Sequence, residues 1–535
     1  MTTITPFAAG SYLTSRSASQ LLTLKNQLND LSNQVSSGQV SQTYGGLGSG
    51  RSTALGAQAT LSALTGYAAG ITAAQTRTTL AVTSLTQVAS LGTGARAALN
   101  NGLQSVSAGS VSGRVTALGD LQTALDALNQ SAGGNYLFGG SDTTTQPVVD
   151  GDTILNGTTD SSGNTLDGLT TLINQRVTAE LGAGKNGRLT QSPPPTSPNT
   201  TTSVTITDET NSQTRGKFGF TLAAAPTATG AITATFSTLP SGANSFTLGL
   251  SGQPAAGDSV TFKLNMPDGT ATTLTLTAAA TADSTSTTSF AIGSSVTDTM
   301  NNLSKTLDNA LKGAASGTLA VNATADVASN FFTGSVKGGP SGTGVMPERI
   351  QYDAGGNPIG YQPATPQDTV LWYQGENTYT ATTPPTQTPA IDTQSVQVSG
   401  SASIGTGARA IDPAVQNVLA GLATMAFALP TTSDANTRAT YQTVLNKAGT
   451  LLASADTSPS VQDTVTQLSL ASSHLSGAST TNKATQNTVQ NTLDGIEQAP
   501  TEEVVAKLLD VQNRLQASYQ VTATLSKLSL VNYIS

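Results

Sequence analysis

The sequence has no cysteine and a single histidine, and these absences exclude several kinds of chemistry. Without cysteine the chain forms no disulfide bond, no thiolate metal site and no cysteine nucleophile. The one histidine, His474, lies inside a helical pattern, where an isolated histidine is usually a surface or interface residue. No Ser/His/Asp set, metal-ligand spacing or glycine-rich cofactor fingerprint is present, and Asp353 is a carboxylate with no visible partner. We therefore expect no enzyme activity, no cofactor and no metal site.

Charge is also scarce, since charged residues make up 10% of the chain, whereas an ordinary soluble domain has roughly a quarter. Thr, Ser, Ala, Gln, Asn and 53 glycines take their place, so neighbouring copies could pack without desolvating many ions. The net charge is −8, and the 23 basic residues form no cluster. Nucleic-acid binding is therefore not expected, because neutralising phosphates needs clustered Lys and Arg.

Long apolar runs are missing as well. No run approaches the roughly 20 residues that a membrane-spanning helix needs, so no membrane insertion is expected. Residues 1–20 lack the basic and apolar segments of a secretory signal. The protein is expected either to remain inside the cell or to leave by a route that reads no such signal.

The stretch 501–535 carries the clearest pattern in the chain. It predicts a helix with Thr501 as N-cap after Pro500, and with Glu502 and Glu503 in the first turn. Its apolar residues follow alternating steps of four and three, with Ser518 and Thr522 in the same series, and they are Val504, Leu508, Val511, Leu515 and Leu525. We call this series the C-terminal seam. An isolated amphipathic helix is only marginally stable, so the C-terminal seam needs a partner.

A similar series near the other end, the N-terminal seam, consists of Leu21, Leu24, Leu28, Leu31 and Val35. Gly38 is predicted to end that helix. The following loop, 39–51, is glycine-rich, but it lacks the Lys-Ser/Thr ending of a phosphate-binding loop and is expected to be a turn. A second helix of about 40 residues is predicted around 61–89, and a third at 118–128.

The composition changes after about residue 146, and up to about residue 400 the chain is rich in Thr, Gly and Pro. A β-hairpin is predicted from strands 260–264 and 274–277 around the turn 267–270. Further strands are expected at 218–222, 232–236 and 246–250, with one helix near 296–311. Trp372 is predicted to lie in the core.

Heptad patterns return from about residue 411 and predict three helices, at 415–429, 441–455 and 461–496, before the last one. The middle of the third turns polar at Asn482 and Gln486. The predicted fold is α+β and multidomain, with a long coiled-coil-like helical bundle built from both termini and a β-rich inserted region. Its parts are an N-terminal helical arm (1–145), a surface-exposed β insert of one or two subdomains (146–400), and a C-terminal helical arm (401–535) packing on the N-terminal arm.

Both arms contain motifs that resemble those of bacterial flagellins and of the related hook–filament junction protein, hook-associated protein 3. In the N-terminal arm, the leucines from Leu24 and the ending Val35-Ser36-Ser37-Gly38 are similar to that family's first helix. The segment Tyr136-Leu137-Phe138-Gly139-Gly140 resembles one typical of the junction protein. In the C-terminal arm the similar residues include Ser518, Tyr519, Leu528, Leu530, Asn532 and Tyr533.

The resemblance implies a structural subunit of the flagellum, secreted unfolded through a type III channel and assembled as a homo-oligomer in a helical tube for motility. It also implies other axial proteins, a hook-side junction protein and flagellin, and an export chaperone as partners. The chain departs from the family at residues 43–48, where a basic residue, Asn and an Asp pair are usual, and at 499–501, where an acidic residue is common. These departures concern inter-subunit polar contacts.

Within this resemblance the motif 136–140 and the ending Asn532-Tyr533 favour the junction protein over a filament-forming flagellin, which stays the alternative. A secreted adhesin that binds through the Thr-rich β region is a third possibility. An adhesin would not explain heptads at both termini.

Overall fold

The computed structural model describes residues 6–107, 113–193, 203–431, 433 and 436–534 of the chain. Within the helices, the side chains at 6–14, 105–107, 525, 526 and 528–534 lie outside this description. Helices account for 52% and strands for 17% of the structure, with long helices at both ends. The prediction of an α+β chain with helical termini is therefore confirmed.

The α-helices of the described residues are α1 (Pro6–Ser37), α2 (Arg51–Ser107), α3 (Arg114–Ala127), α4 (Gly151–Asn156), α5 (Leu169–Leu181), α6 (Val296–Ala314), α7 (Ala320–Phe331), α8 (Pro413–Ala428), α9 (Thr437–Leu452), α10 (Val461–Glu497) and α11 (Thr501–Ile534). A π-helical turn, Ala315–Leu319, joins α6 to α7.

The strands are mostly short, and they are β1 (Ser131–Ala132), β2 (Asn135–Tyr136), β3 (Thr158–Thr159), β4 (Thr165–Leu166), β5 (Thr190–Gln191), β6 (Ser203–Thr207), β7 (Thr221–Leu222), β8 (Thr227–Ala228), β9 (Ile232–Thr238), β10 (Asn244–Leu250), β11 (Ser259–Asn265), β12 (Ala271–Ala279), β13 (Ser289–Ala291), β14 (Glu348–Tyr352), β15 (Pro358–Pro363), β16 (Ser395–Gln397) and β17 (Ser403–Gly405).

The long helices begin and end close to where the sequence predicts. Helix α1 ends at Ser37, before Gly38 with its left-handed φ of 70°, and α11 begins at Thr501 after Pro500. Helix α2 is longer than expected, with 57 residues, because its glycines do not interrupt it. Close packing explains the glycine at position 92, since a Cβ there would lie 2.8 Å from the Ala455 Cβ and 3.1 Å from the Val418 Cγ1.

The contacts divide the chain into two units. The terminal unit comprises the described residues of 1–73, 397–403 and 475–535, and the central unit those of 74–396 and 404–474. The division falls inside α2 and α10, whereas the sequence analysis placed boundaries at 145 and 400. Residues 74–145 and 404–474, predicted as parts of the arms, thus share a unit with the predicted β insert.

The central unit has a large helical core. Helix α8 is buried on nearly every side, as expected for a helix at the middle of a core, and it packs against α3, α7 and α9. Trp372 is fully buried there, and its indole N–H donates to the Phe332 carbonyl oxygen at 3.0 Å. The prediction that Trp372 is a core residue is confirmed.

The central unit also contains a β-sandwich with its own core. One sheet has the order β5-β6-β10-β9, and the other has the order β13-β12-β11-β7, with β8 also pairing with β11. Helix α6 packs on both sheets, and Phe246 of one lies 5.2 Å from Phe262 of the other, measured between ring centroids. The predicted hairpin is confirmed as β11 and β12, with Phe262 opposite Leu274.

Two sequence predictions for the middle region are wrong. A full strand at 218–222 does not form, because Gly219 adopts a φ of 76° and only Thr221–Leu222 pair with β11. The region holds more than one helix, since α5 and α7 also form. Helix α5 has only a weak amphipathic stripe, whereas α7 is a short segment of mainly small and polar residues that is buried on most sides by α5, α8 and α9.

No helix in the described ranges is long and apolar enough to cross a membrane. Nor do the described residues bring three or more His, Cys, Asp or Glu side chains together where they could hold a metal ion.

Candidate assembly surface

In the terminal unit, α1 and α11 pack on each other as an antiparallel pair. The Ala499 N–H donates to the Gly38 carbonyl oxygen at 2.9 Å, and the Val40 N–H donates to the Glu497 carbonyl oxygen at 2.7 Å. These bonds hold the end of α1 beside the start of α11, and the two helices contact each other. Leu28 and Leu515 therefore belong to the same unit.

The N-terminal seam is only half-buried in this pair. Leu21, Leu24, Leu28 and Leu31 are all intermediate in exposure, and no described α1 side chain is fully buried. Val35 does not belong to the covered stripe, because it is 38% exposed and Gln34 is the half-buried residue instead. The final step of the stripe is three residues rather than four, as the 3.6-residue turn allows.

The C-terminal seam is covered unevenly. Val504 and Val511 are buried, whereas Leu508, Leu515 and Ser518 are half-buried and Thr522 is exposed. The side chain of Leu525 lies outside the described residues, as do those of Leu528, Leu530, Asn532 and Tyr533 in the family motif. Among the described residues of the seam, cover is greatest at Val504 and Val511 and least at Thr522.

A second apolar stripe on α11 has no cover within the described terminal unit. Val505 and Leu509 are exposed, with Leu509 at 53%, and Tyr519 is 51% exposed. With Gln512, Gln516 and Ala523 they repeat the four-and-three steps one residue after the C-terminal seam, which is about 100° around the helix. We call this series the second stripe. It is the feature of α11 that the sequence analysis missed, although its spacing is visible in the sequence.

Charges on α11 lie at the surface and pair along the helix. Lys507 is 2.6 Å from Glu503 and Arg514 is 3.0 Å from Asp510, each measured between nitrogen and carboxylate oxygen. The hydrogen bond from Lys507 lowers the pKa of Glu503. Each of these four charges is paired within α11, so none of them adds an unpaired charge beside the apolar stripes.

The other helices of the terminal unit meet around a buried amide. Asn482 of α10 donates from Nδ2 to the Leu64 carbonyl oxygen of α2 at 3.0 Å and accepts from Gln486 Nε2 at 2.8 Å. Ile496 approaches Gly50, so the two segments run antiparallel. A buried polar residue of this kind fixes the register of packed helices. The polar interruption predicted at Asn482 and Gln486 is thus a satisfied internal contact.

The motif 136–140 lies in the central unit and has a structural role. Leu137 and Phe138 are buried, and the half-buried Tyr136 belongs to β2. Gly139 bridges to Arg409, and the Gly140 N–H donates to the Ala408 carbonyl oxygen. Gly140 has a φ of 65°, and a Cβ at this position would lie 3.2 Å from the Arg409 Cγ. Glycine is favoured there because φ is positive and because a Cβ would collide with a carboxylate oxygen of Glu376.

Arg409 is the centre of a buried charge cluster that the sequence analysis did not identify. Its guanidinium lies 3.4 Å from a Glu376 carboxylate oxygen and 3.5 Å from one of Asp412. Burial raises the pKa of Asp412 to about 6 despite Arg409. Asp412 is only three residues from Arg409, but Glu376 comes from a distant part of the chain, so the sequence alone did not reveal the cluster.

Comparisons with known proteins add no relative, because no family model, curated protein or solved structure matches this chain.

Proposed function

We propose that this chain is a structural subunit of the bacterial flagellum that self-assembles through its terminal helices. The proposed role is that of the hook–filament junction protein, in flagellum-dependent motility. The alternative is a filament-forming flagellin. The proposal rests on the resemblance of the motifs in both arms together with the state of the terminal helices.

The observation that carries the proposal is the incomplete burial of α1 and α11. Pairing the two helices leaves the leucines of the N-terminal seam half-exposed and the second stripe uncovered. A helix held by tertiary packing normally buries one apolar face, and a helix with two apolar stripes needs two sets of neighbours. A neighbouring copy of the chain would supply the second set.

The uncharged character of the chain supports the same conclusion. With charged residues at 10% of the chain, burying a large surface between copies removes few ions from water. The exposed pairs on α11 already neutralise each other along the helix.

The first test is electron microscopy of cells from which the gene has been deleted. Hooks without filaments, with flagellin shed into the medium, are expected for a junction protein. Loss of one filament type with intact junctions would indicate a flagellin instead. Cells with normal flagella and motility would contradict both flagellar roles.

The second test places a charge on the proposed assembly surface. Leu515→Asp introduces a carboxylate into the half-buried seam, and desolvating it between copies costs several kcal/mol in every subunit. Polymer formed by purified protein, measured by sedimentation, and swimming in soft agar should both be lost.

Ala517→Asp is the matched control, because Ala517 is exposed, lies far around α11 from both Leu515 and the second stripe, and gains the same charge. It should assemble and swim normally. Circular dichroism should show that the β-sandwich remains folded in both variants. A motile Leu515→Asp strain would mean that the C-terminal seam is not part of an assembly surface.

A further inference from the structure

Two of the open edges of the β-sandwich lie at β9 and at β12. Strand β9 pairs with β10 on one side only, and β12 pairs with β13 only at Thr277–Ala279. Among the described residues, the other side of β9 and residues 271–275 of β12 pair with no strand. Open edges offer unpaired N–H and C=O groups to another strand.

The hydrogen bonds fix which residues point outward along each edge. In β9, Ala231 and Leu239 bond toward β10, so the backbone groups of Ala234 and Phe236, on the alternate positions, point outward. In β12, the Thr277 N–H donates to the carbonyl oxygen of Thr288, the residue just before β13. The backbone groups of Thr273 and Thr275, on alternate positions of the same strand, therefore also point outward.

The two edges differ in where their outward residues send their side chains. Ala234 and Phe236 of β9 pack against the sandwich core, whereas Thr273 and Thr275 of β12 are exposed on the solvent face. In an antiparallel pair, outward residues stand directly opposite each other with side chains on one face. Antiparallel β9–β12 pairing would therefore put the two cores on opposite faces of the joined sheet.

Parallel pairing of β9 with β12 resolves this conflict. In a parallel pair, an outward residue stands opposite one that points away, as Thr277 and Ser289 do in the β12–β13 pair. Core-facing residues of β9 then meet the core-facing Leu274 of β12, and one continuous face results. The β9 and β12 edges are therefore complementary when the strands run parallel, so β9 of one copy can pair with β12 of a neighbouring copy.

The chemistry of the strands also suits this contact. Neither β9 nor β12 contains a charged residue or a proline, the usual devices that protect an edge. Their solvent faces carry Thr233 and Thr235 on β9 and Thr273 and Thr275 on β12, all exposed. On this solvent face, hydroxyl groups of adjacent strands within one sandwich already bond to each other, since Thr261 Oγ1 of β11 lies 2.9 Å from Thr275 Oγ1 of β12.

We infer that β9 of one copy adds in parallel to the open edge of β12 in a neighbouring copy, joining their sandwiches into a continuous sheet. The choice of different edges rests on the proposed function, because self-pairing of β9 or β12 would be two-fold and would close a dimer instead of extending a ring or tube.

Cysteine cross-linking tests this contact cleanly, because the chain has no cysteine of its own. Full-length Thr235→Cys and Thr273→Cys, carrying different affinity tags, are mixed, allowed to assemble and treated with a short bismaleimide reagent. Cross-links between the two tags are expected in the sedimented polymer. Links between identical variants would indicate two-fold pairing and overturn the inference.

A proline variant checks that the backbone edge makes the contact. Ala234→Pro in the Thr235→Cys chain removes an outward N–H, which an edge strand tolerates, and should lower the cross-linked yield roughly fivefold or more through the lost ladder bond. An unchanged yield would overturn the inference. Polymer without any cross-link would overturn the β9–β12 contact while leaving the proposed function standing, whereas absence of polymer would overturn both.

Discussion

The terminal and central units bury their apolar residues to very different degrees. In the central unit α8 is surrounded, and leucines such as Leu422 are fully buried among several helices. In the terminal unit the four leucines 21, 24, 28 and 31 occupy equally regular heptad positions but remain half-exposed. Regular spacing thus marks a surface that will be covered, and it does not tell whether the cover comes from the same chain.

The same substitution in both units should separate their energetics most sharply. Leu422→Ala leaves a cavity in the central core and is expected to cost about 2–5 kcal/mol of unfolding free energy. Leu28→Ala should change the unfolding of the central unit by less than about 0.5 kcal/mol, since Leu28 lies in the terminal unit. Trp372, the only tryptophan, reports urea unfolding of the central core by fluorescence. Equal losses in both variants would contradict the contrast.

The next largest expected effect is a pH dependence of the unfolding free energy of the central unit, caused by a buried carboxyl group. Burial raises the pKa of Glu180 to about 7 from 4.5, although Arg176 lies 2.9 Å away and Gly219 N–H donates to it. The folded chain holds this proton more tightly than the unfolded chain. Its contribution to stability is therefore fully present below pH 4.5, falls as the pH rises, and is gone above pH 7, amounting to roughly 3 kcal/mol at most.

Glu180→Gln removes this titration while keeping an acceptor for the Gly219 N–H. The decline in unfolding free energy between pH 4.5 and 7 should be shallower in the variant, measured by urea unfolding at each pH. Asp412 contributes with the same sign in both proteins, so the difference between the two curves isolates Glu180. Parallel curves would show that Glu180 ionises normally in the fold.

The smallest effect concerns the tip of the β11–β12 hairpin. Asp268 accepts from Lys447 Nζ of α9 and from Asn322 Nδ2 of α7, both at 2.9 Å, so the tip is bound to the helical core. Burial acts to raise the pKa of Asp268, but hydrogen bonds from Thr270 and Lys447 outweigh it and lower the pKa. The hairpin predicted within the β insert therefore contacts Lys447, a residue of the predicted C-terminal arm.

Asp268→Asn should cost about 1 kcal/mol through the lost ion pair, measured by urea unfolding. Asp283→Asn is the matched control, because Asp283 accepts from Thr285 N–H and Oγ1 as Asp268 does from Thr270, but it is exposed and belongs to no ion pair in the described structure. The control should be neutral. An equal loss in both variants would assign the effect to the turn rather than to Lys447.

The elements that could be predicted from the sequence are those whose signals lie within a few neighbouring residues. The helices α1, α10 and α11 and the β11–β12 hairpin were predictable because their signals, heptads and a Pro-Asp-Gly turn, are local. Helix α5 was not predicted, because its apolar periodicity is weak, and α7 was not, because it is short, has few large apolar residues and depends on contacts on several sides. The Arg409–Glu376 and Asp268–Lys447 ion pairs join residues far apart in the chain, and no local spacing predicts them.

Hydrogen exchange of monomer and polymer tests the central claim most directly. If α1 and α11 depend on neighbouring copies for their cover, amides at 21–31 and 504–515 should exchange much faster in dilute monomer than those of α8. They should become protected on assembly, while α8 changes little. Terminal helices that are as protected in the monomer as in the polymer would contradict the account.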